Sequence, residues 1–221
     1  QQPQPTERTH MEILFNLIYL APAALIAITF HEYAHGFVSA KLGDPTPKMQ
    51  GRLSLNPLKH LDIIGTLALV FFGFGWAKPV NVDPRYYRKP KQGMMLVALA
   101  GPFTNFIIAF VCYFICGIFI KANVEVGTVA SYAFTFFNIT AQLNLGLGIF
   151  NLIPIPPLDG SKVLTAFLPE RAYFAFMRYE RYIGIALIAL LMFGVLDTPL
   201  MFLRNGAEMG MFSAVRFLLA I

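Results

Sequence analysis

The residues best suited to chemistry lie near the start of the chain, in the sequence His31-Glu32-Tyr33-Ala34-His35. If this H-E-x-x-H segment is helical, its two histidines are four residues apart on one face, where both imidazoles can reach a single zinc ion. Glu32 lies beside that face and can take a proton from a metal-bound water, whose pKa zinc lowers to about 7. The alternative is a chance match in which these polar groups satisfy one another inside a helix bundle.

A catalytic zinc ion usually has three protein ligands and one position open for water, so a third ligand is needed. Asp159 is the outstanding ionisable candidate, because it closely follows three prolines within residues 151–160. Prolines at this spacing break a helix, and irregular backbone at membrane depth is tolerated where it is buried in protein or faces a wet cavity. The alternative is an ordinary helix end, in which Asp159 only caps the next helix.

The composition indicates that these groups lie in a membrane protein. Of the 221 residues, 57% are hydrophobic and 13% are charged, whereas a soluble domain has roughly 45–50% apolar and 25% charged residues. The 22 phenylalanines exclude an unfolded polar chain. The two cysteines, Cys112 and Cys116, are four residues apart in an apolar run, which excludes a disulfide-stapled secreted scaffold.

Four apolar segments are long enough to cross a hydrocarbon core of roughly 30 Å, which needs about 20 helical residues. They are residues 13–38, 94–120, 126–153 and 183–203. Two shorter runs predict other placements, namely a re-entrant segment at residues 63–76 and a C-terminal interfacial or partly inserted helix at residues 209–221.

Two polar segments between the spans have a different pattern. Residues 50–56 and 78–82 alternate polar and apolar side chains, which predicts short β-strands at the membrane surface. Residues 1–12 are polar and lack an apolar period, so we expect a flexible tail there and a single domain over residues 13–221. The predicted fold is therefore a polytopic α-helical membrane protein with about four long spanning helices.

The positive charges predict the orientation of this fold, since Lys and Arg accumulate in cytoplasmic loops. If residues 63–76 dip into the membrane and return, three basic loops share one face, which we expect to be cytoplasmic. These loops hold 13 of the 17 basic residues: Lys41, Lys48, Arg52 and Lys59, then Lys78, Arg85, Arg88, Lys89 and Lys91, then Lys162, Arg171, Arg178 and Arg181. The net charge of +5 is thus explained by topology and anionic lipid, and no nucleic-acid partner is predicted.

The motifs resemble those of a known family. H-E-x-x-H on an early span, together with the distant N-x-x-P-x-P-x-L-D-G element at residues 151–160, resembles the site-2 proteases, zinc metalloproteases that cut transmembrane segments of other proteins. A weaker G-x-x-x-N element of the family is matched by residues 101–105. The resemblance extends from Met11 to about Gly194. Because no PDZ-like insertion or nucleotide-sensing domain is recognisable, we expect a minimal form of the family.

The resemblance implies roles for six residues. His31, His35 and Asp159 would hold one catalytic zinc ion, and Glu32 would be the general base. Asn151 and Asn105 match family asparagines that would orient the substrate or stabilise an oxyanion. The alternative for both asparagines is ordinary hydrogen bonding between helices.

The predicted function is that of a zinc-dependent intramembrane endopeptidase in the plasma (inner) membrane, with its active-site mouth facing the cytoplasm. Its partners would be a protein substrate with a transmembrane segment, held extended by strand addition, and membrane lipid. Two alternatives remain: a noncatalytic membrane protein that binds transmembrane segments, and an ion or zinc transporter. The presence of Glu32 favours catalysis, and helices broken in only one half of the chain disfavour a transporter.

Overall fold

The structure, a computed structural model, describes residues 15–62, 65 and 77–221. Most of these residues are helical. A π-helical turn, Asn16–Leu20, leads directly into the first α-helix, and 3₁₀ turns occur at Pro57–Lys59 and Pro84–Tyr86. The α-helices are α1 (Ala21–Lys41), α2 (Thr46–Met49), α3 (Pro90–Lys121), α4 (Val129–Asn151), α5 (Asp159–Phe167), α6 (Glu170–Met192) and α7 (Asp197–Leu219).

The first three predicted spans are confirmed as long apolar helices. Within the described residues, the helices Leu17–Lys41, Pro90–Lys121 and Val129–Asn151 are each long and apolar enough to cross a membrane. Helix α1 ends where the sequence changes character, because Gly43 follows it with a φ of +105°, a conformation that glycine adopts without steric cost. The chain is therefore mostly helical and suited to a membrane.

The fourth predicted span is not a single straight helix. Helix α6 ends at Met192, α7 begins at Asp197, and the two helices are bent by 82° relative to each other. Gly194 lies in the break with a φ of +68°, which allows a turn that other residues rarely adopt. The pair can form at most one bent span, and the helix predicted at residues 209–221 is the second half of α7 rather than a separate element.

The predicted strands do not form in the part of the chain that the structure describes. Residues 50–56 and 78–82 lie in turns and irregular backbone, and the β pairing of the described residues is limited to one isolated antiparallel bridge, between Leu61 and Ala77. Alternating side chains are insufficient because a strand also needs a partner for its main-chain groups. The predicted re-entrant segment, residues 63–76, lies outside the described residues except for Gly65.

The apolar core lies where α3, α4 and α7 meet. Its buried residues are Ala109, Cys112, Tyr113, Ala141, Leu145 and Val215. Gly117 allows α7 to approach closely, because a Cβ atom there would lie only 2.6 Å from both Val215 Cγ1 and Leu219 Cδ1. Both cysteines are buried and unbridged, as is usual for cysteines that act as small packing residues.

The three basic loops meet at one end of the helices. Lys78 N–H donates to the His60 carbonyl at 2.9 Å, and Asp83 N–H donates to Asp44 Oδ2 at 2.8 Å. Lys91 Nζ, at the start of α3, donates to the Leu168 carbonyl at 3.2 Å. Lys121, at the opposite end of α3, donates to the Leu219 carbonyl. The cytoplasmic orientation of this end of the helices remains a prediction.

Candidate metal centre

Helix α1 places the two histidines of the H-E-x-x-H segment one above the other inside the bundle. His31 and His35 are only 5% and 8% exposed. Their Nε2 atoms are 3.0 Å apart, and the two rings meet edge to face with centroids 4.6 Å apart. The four-residue spacing therefore brings both imidazoles to one point, as predicted.

Asp159 reaches the same point from a distant part of the chain. It is the first residue of α5 and follows the proline-containing loop, residues 152–158. This loop packs closely against Gly160, because an added Cβ there would overlap the Leu152 carbonyl. Asp159 Oδ2 lies 3.1 Å from the Nε2 atom of each histidine. The three atoms thus form a nearly equilateral triangle, which we call the ligand triangle.

The tautomers of both histidines follow from their outer hydrogen bonds. His35 Nδ1 lies 2.6 Å from the Val97 carbonyl, which can only accept, so this nitrogen carries a proton. His31 Nδ1 lies 2.6 Å from Asn105 Oδ1. The orientation of that amide is set because its Nδ2 donates to the Ala27 carbonyl at 3.1 Å. In their neutral form, both imidazoles therefore direct the Nε2 lone pair into the ligand triangle.

The residues of the ligand triangle fit a divalent metal ion. Two Nε2 atoms and a carboxylate oxygen converge at one point, an arrangement that a cation stabilises. Two histidines and one carboxylate are a typical donor set of catalytic zinc, and bonds of 2.0–2.2 Å in tetrahedral geometry separate the ligand atoms by about 3.3–3.6 Å. The observed separations of 3.0–3.1 Å lie a few tenths of an ångström below this range.

Gly101 of α3 makes room for this arrangement. A Cβ atom at this position would lie 2.5 Å from His35 Nε2 and 2.6 Å from His31 Cε1, distances that no real side chain shows. The glycine of the G-x-x-x-N element therefore has a definite task, which is to let α3 pass beside the two imidazoles.

Glu32 lies next to the ligand triangle and is held by the main chain of a neighbouring loop. Its Oε2 accepts a hydrogen bond from Val80 N–H at 2.8 Å. Val80 is itself fixed, because its Cγ1 packs against α1 at Gly36, where an added Cβ would lie 3.3 Å away. Glu32 is half-buried, so one carboxylate oxygen is oriented at the edge of the site.

The predicted role of Asn105, to orient the substrate or an oxyanion, remains a prediction. Asn105 is completely buried, and both of its N–H groups are engaged, by the Ala27 carbonyl and by Asn144 Oδ1 at 2.8 Å. Its Oδ1 contacts His31 Nδ1 and thereby orients that imidazole.

The predicted role of Asn151 remains a prediction. Its Nδ2 donates to the Leu147 carbonyl at 3.0 Å, one turn earlier in the same helix.

Three further contributors were not predicted from the sequence. Asn144 supports Asn105 from α4 and donates its own Nδ2 to the Thr140 carbonyl at 2.8 Å. The Val97 carbonyl orients His35, and Lys162 contacts Asp159. Asn144 is one of several amides in α4, which also holds Asn138 and Gln142, so the sequence alone does not distinguish it. The Val97 carbonyl leaves no signal in the sequence, because every residue has one.

Comparison with known proteins assigns the chain to a family. Residues 19–194 match the family described as peptidase family M50. The protein named "Putative zinc metalloprotease YwhC" from Bacillus subtilis (strain 168) is 43% identical over 152 residues, which are 68% of this chain and 69% of that protein.

"Zinc metalloprotease MJ0392" from Methanocaldococcus jannaschii is 27% identical over 204 residues, which are 89% of this chain and 48% of that protein. This chain thus spans about half the length of MJ0392. No solved structure gives a significant match. With the family match covering most of its length, the chain belongs to peptidase family M50, the site-2 protease family.

Proposed function

We propose that the protein is a zinc-dependent intramembrane endopeptidase that cleaves transmembrane segments of membrane proteins. The observation that supports this most directly is the ligand triangle, whose two histidines lie on α1, a helix long and apolar enough to span a membrane. His31, His35 and Asp159 would hold one zinc ion. When bound there, zinc lowers the pKa of a coordinated water and polarises the substrate carbonyl.

Glu32 is the general base in this proposal. Its carboxylate accepts a proton from the attacking water and later delivers it to the nitrogen of the leaving amine. The carboxylate is thereby restored, and the net reaction adds one water across one peptide bond. The hydrogen bond from Val80 N–H keeps the carboxylate beside His31 during both transfers.

The substrate would reach the site from within the membrane, with the basic loops facing the cytoplasm. The position of the ligand triangle near the basic loops is supported by Lys162. This residue belongs to the third basic loop, lies three residues after Asp159 and contacts it.

A transmembrane helix must lose internal hydrogen bonds before water can attack, and each freed backbone group costs several kcal/mol in hydrocarbon. Substrates with Gly, Pro or Asn near the cut should therefore be cleaved faster than polyleucine spans.

The test compares the wild type with Glu32→Gln, using metal analysis and cleavage of a panel of single-span substrates. We expect Glu32→Gln to retain one zinc ion per chain, because Glu32 is not a ligand. Its cleavage rate should fall by about 10²- to 10⁴-fold, the usual contribution of general acid–base catalysis. Glu125→Gln, an exposed residue in the loop between α3 and α4, is the matched control and should cleave normally.

Two outcomes would contradict the proposal. Normal cleavage by Glu32→Gln would show that another group is the base. A wild type that binds the substrate panel but neither holds zinc nor cleaves would favour the noncatalytic alternative.

A further inference from the structure

The two carboxylate oxygens of Asp159 have different surroundings. Oδ2 belongs to the ligand triangle and lies 3.1 Å from each histidine Nε2. Oδ1 points the other way and lies 3.3 Å from Lys162 Nζ. Because the two residues are three apart in α5, the helix places them on neighbouring positions of one face. Lys162 therefore holds the oxygen that the histidines do not contact.

Lys162 contacts this oxygen from the more solvent-exposed side of the carboxylate. Its side chain is 45% exposed, whereas that of Asp159 is 8% exposed. A cavity of about 320 Å³ lies beside it, between the start of α3, the proline-containing loop, α5 and α6. Its lining includes Lys91, Pro156, Ser161, Lys162, Thr165 and Glu180.

A second lysine in the same cavity has a different partner. Lys91 Nζ donates to the Leu168 carbonyl at 3.2 Å, whereas Lys162 Nζ contacts a residue of the ligand triangle. The two side chains carry the same charge into the same space. They therefore provide a matched pair that separates the contact with Asp159 from the charge of the cavity.

We infer that Lys162 is a positioning residue that makes Asp159 offer a single oxygen to the metal. This inference rests on the proposed function. A carboxylate can bind a metal through one oxygen or through both, and a catalytic zinc site needs a position left open for water. If Asp159 turned to offer both oxygens, the second would compete for that position. The hydrogen bond from Lys162 to Oδ1 opposes this turn.

This role differs from that of a simple surface ion pair. A partly exposed lysine–aspartate pair adds little to folding stability because water screens it. Removing the Lys162 ammonium should therefore leave the fold and the three ligands in place. The effect should appear in the coordination of the metal and in turnover.

The test uses Lys162→Met, Lys162→Arg and Lys91→Met in the full chain, each loaded with zinc for kinetics and with cobalt(II) for visible spectroscopy. Lys162→Met should retain one metal ion per chain and a wild-type KM, while kcat falls about 10- to 100-fold, as is typical when a group that orients a metal ligand is lost. Its cobalt bands should weaken, because four-coordinate cobalt(II) absorbs more strongly than five-coordinate cobalt(II). Lys162→Arg should restore both readouts, and Lys91→Met should match the wild type.

Three results would overturn the inference. One is a wild-type cobalt spectrum and kcat in Lys162→Met. Another is an equal loss of kcat in Lys91→Met, which would assign the effect to cavity charge. The third is loss of the metal from Lys162→Met. This result would show that Lys162 is needed to retain the metal rather than to determine how Asp159 coordinates it. A wild-type protein that binds no zinc would instead refute the proposed function, so the two failures are distinguishable.

Discussion

Helices α3 and α4 contact each other at two adjacent levels, one polar and one apolar. At the polar level, Asn105 and Asn144 bond to each other and Asn105 bonds to His31. At the adjoining apolar level, Ala109 and Tyr113 belong with Ala141 and Leu145 to one core cluster without exposure to solvent. The same two helices thus carry a hydrogen-bonded network and a close-packed core side by side.

The difference between the levels separates two tasks. A hydrogen bond between helices in a membrane contributes only about 0.6 kcal/mol on average, so stability does not account for buried amides at the polar level. Their arrangement instead fixes the tautomer and direction of His31. The apolar level provides the packing that holds the helices together. Two glycines of α3 mark the same division, since Gly101 makes room for imidazoles and Gly117 makes room for α7.

The largest expected effect on stability comes from the apolar level. Leu145 is completely buried, and Leu145→Ala should lower the free energy of unfolding by about 2–5 kcal/mol, since it removes packing and leaves a cavity. Denaturation in detergent, monitored by circular dichroism, measures this change. The zinc content of the folded fraction should remain at the wild-type value. Loss of zinc from folded Leu145→Ala would show that the two levels are not separable.

Gly101→Ala tests the polar side of the same helix. The added methyl group must displace His31 or His35 by several tenths of an ångström or more, and a displacement of about 1 Å typically costs 10²-fold in rate. We therefore expect about 100-fold slower cleavage and weaker zinc binding.

Gly117→Ala is the matched control for this substitution. Its methyl group would meet side-chain ends of Val215 and Leu219. It should lower the melting temperature while leaving the cleavage rate of the folded protein unchanged. An equal loss of cleavage rate in Gly117→Ala and Gly101→Ala would contradict the separation of the polar level from the apolar level.

Asn105→Leu should have an effect on the metal rather than on the fold. Without the Asn105 carbonyl oxygen, His31 Nδ1–H loses its acceptor, and the ring can rotate or change tautomer. Loss of such an orienting partner typically weakens metal affinity 10- to 100-fold. Competition with a zinc chelator measures this affinity. Asn144→Leu, one bond further from the histidine, should weaken it less, and the reverse order would contradict the proposed network.

The smallest effect concerns a buried carboxylate outside both levels. Burial raises the pKa of Asp44, but hydrogen bonds from Thr46, Asp83 N–H and Ser39 outweigh it and hold the pKa below its usual value. A carboxyl group with a lowered folded-state pKa contributes stability above its unfolded pKa of about 3.9, and this is lost as pH falls through the folded value.

Asp44→Asn should therefore lower the free energy of unfolding by about 1 kcal/mol at pH 7, the difference between charged and neutral hydrogen bonds. The difference from the wild type should shrink below about pH 4. Melting temperatures between pH 7 and pH 3 measure it, with Glu125→Gln as the control. If the stability difference between Asp44→Asn and the wild type did not depend on pH, the effect would come from the shape of the side chain rather than from its charge. Zinc content should not change, since Asp44 does not contact the ligand triangle.

The sequence was sufficient to find the three residues of the ligand triangle, because each belongs to a motif whose residue types are demanded by the chemistry. His31 and His35 follow from helical spacing, and Asp159 follows from its place after broken backbone together with the family resemblance. The long spans could be predicted from length and composition alone. In each case the property is local, so it can be identified without knowing which parts of the chain meet.

Other features depend on which segments meet, and local patterns do not show this. The contacts of Asn105 join it to His31 and Asn144, which lie 74 and 39 residues away, so its part in orienting His31 could not be found from local sequence. The break between α6 and α7 lies in a largely apolar run that Asp197-Thr198-Pro199 interrupts, and its turn depends on the backbone conformation of Gly194. Residues 78–82 alternate like a strand, yet the N–H of Val80 is bound by a side chain.

That contact between Val80 and Glu32 has a consequence for how this protein can evolve. The donor is a main-chain N–H, which every amino acid except proline supplies. Mutation can therefore exchange the side chain at position 80, within the limits of its packing against Gly36, and the bond to Glu32 survives. Glu32 has no comparable freedom. In diverging lineages we expect position 32 to remain glutamate while the residue at position 80 varies. The absence of proline at position 80 should be the single sign of selection on this contact.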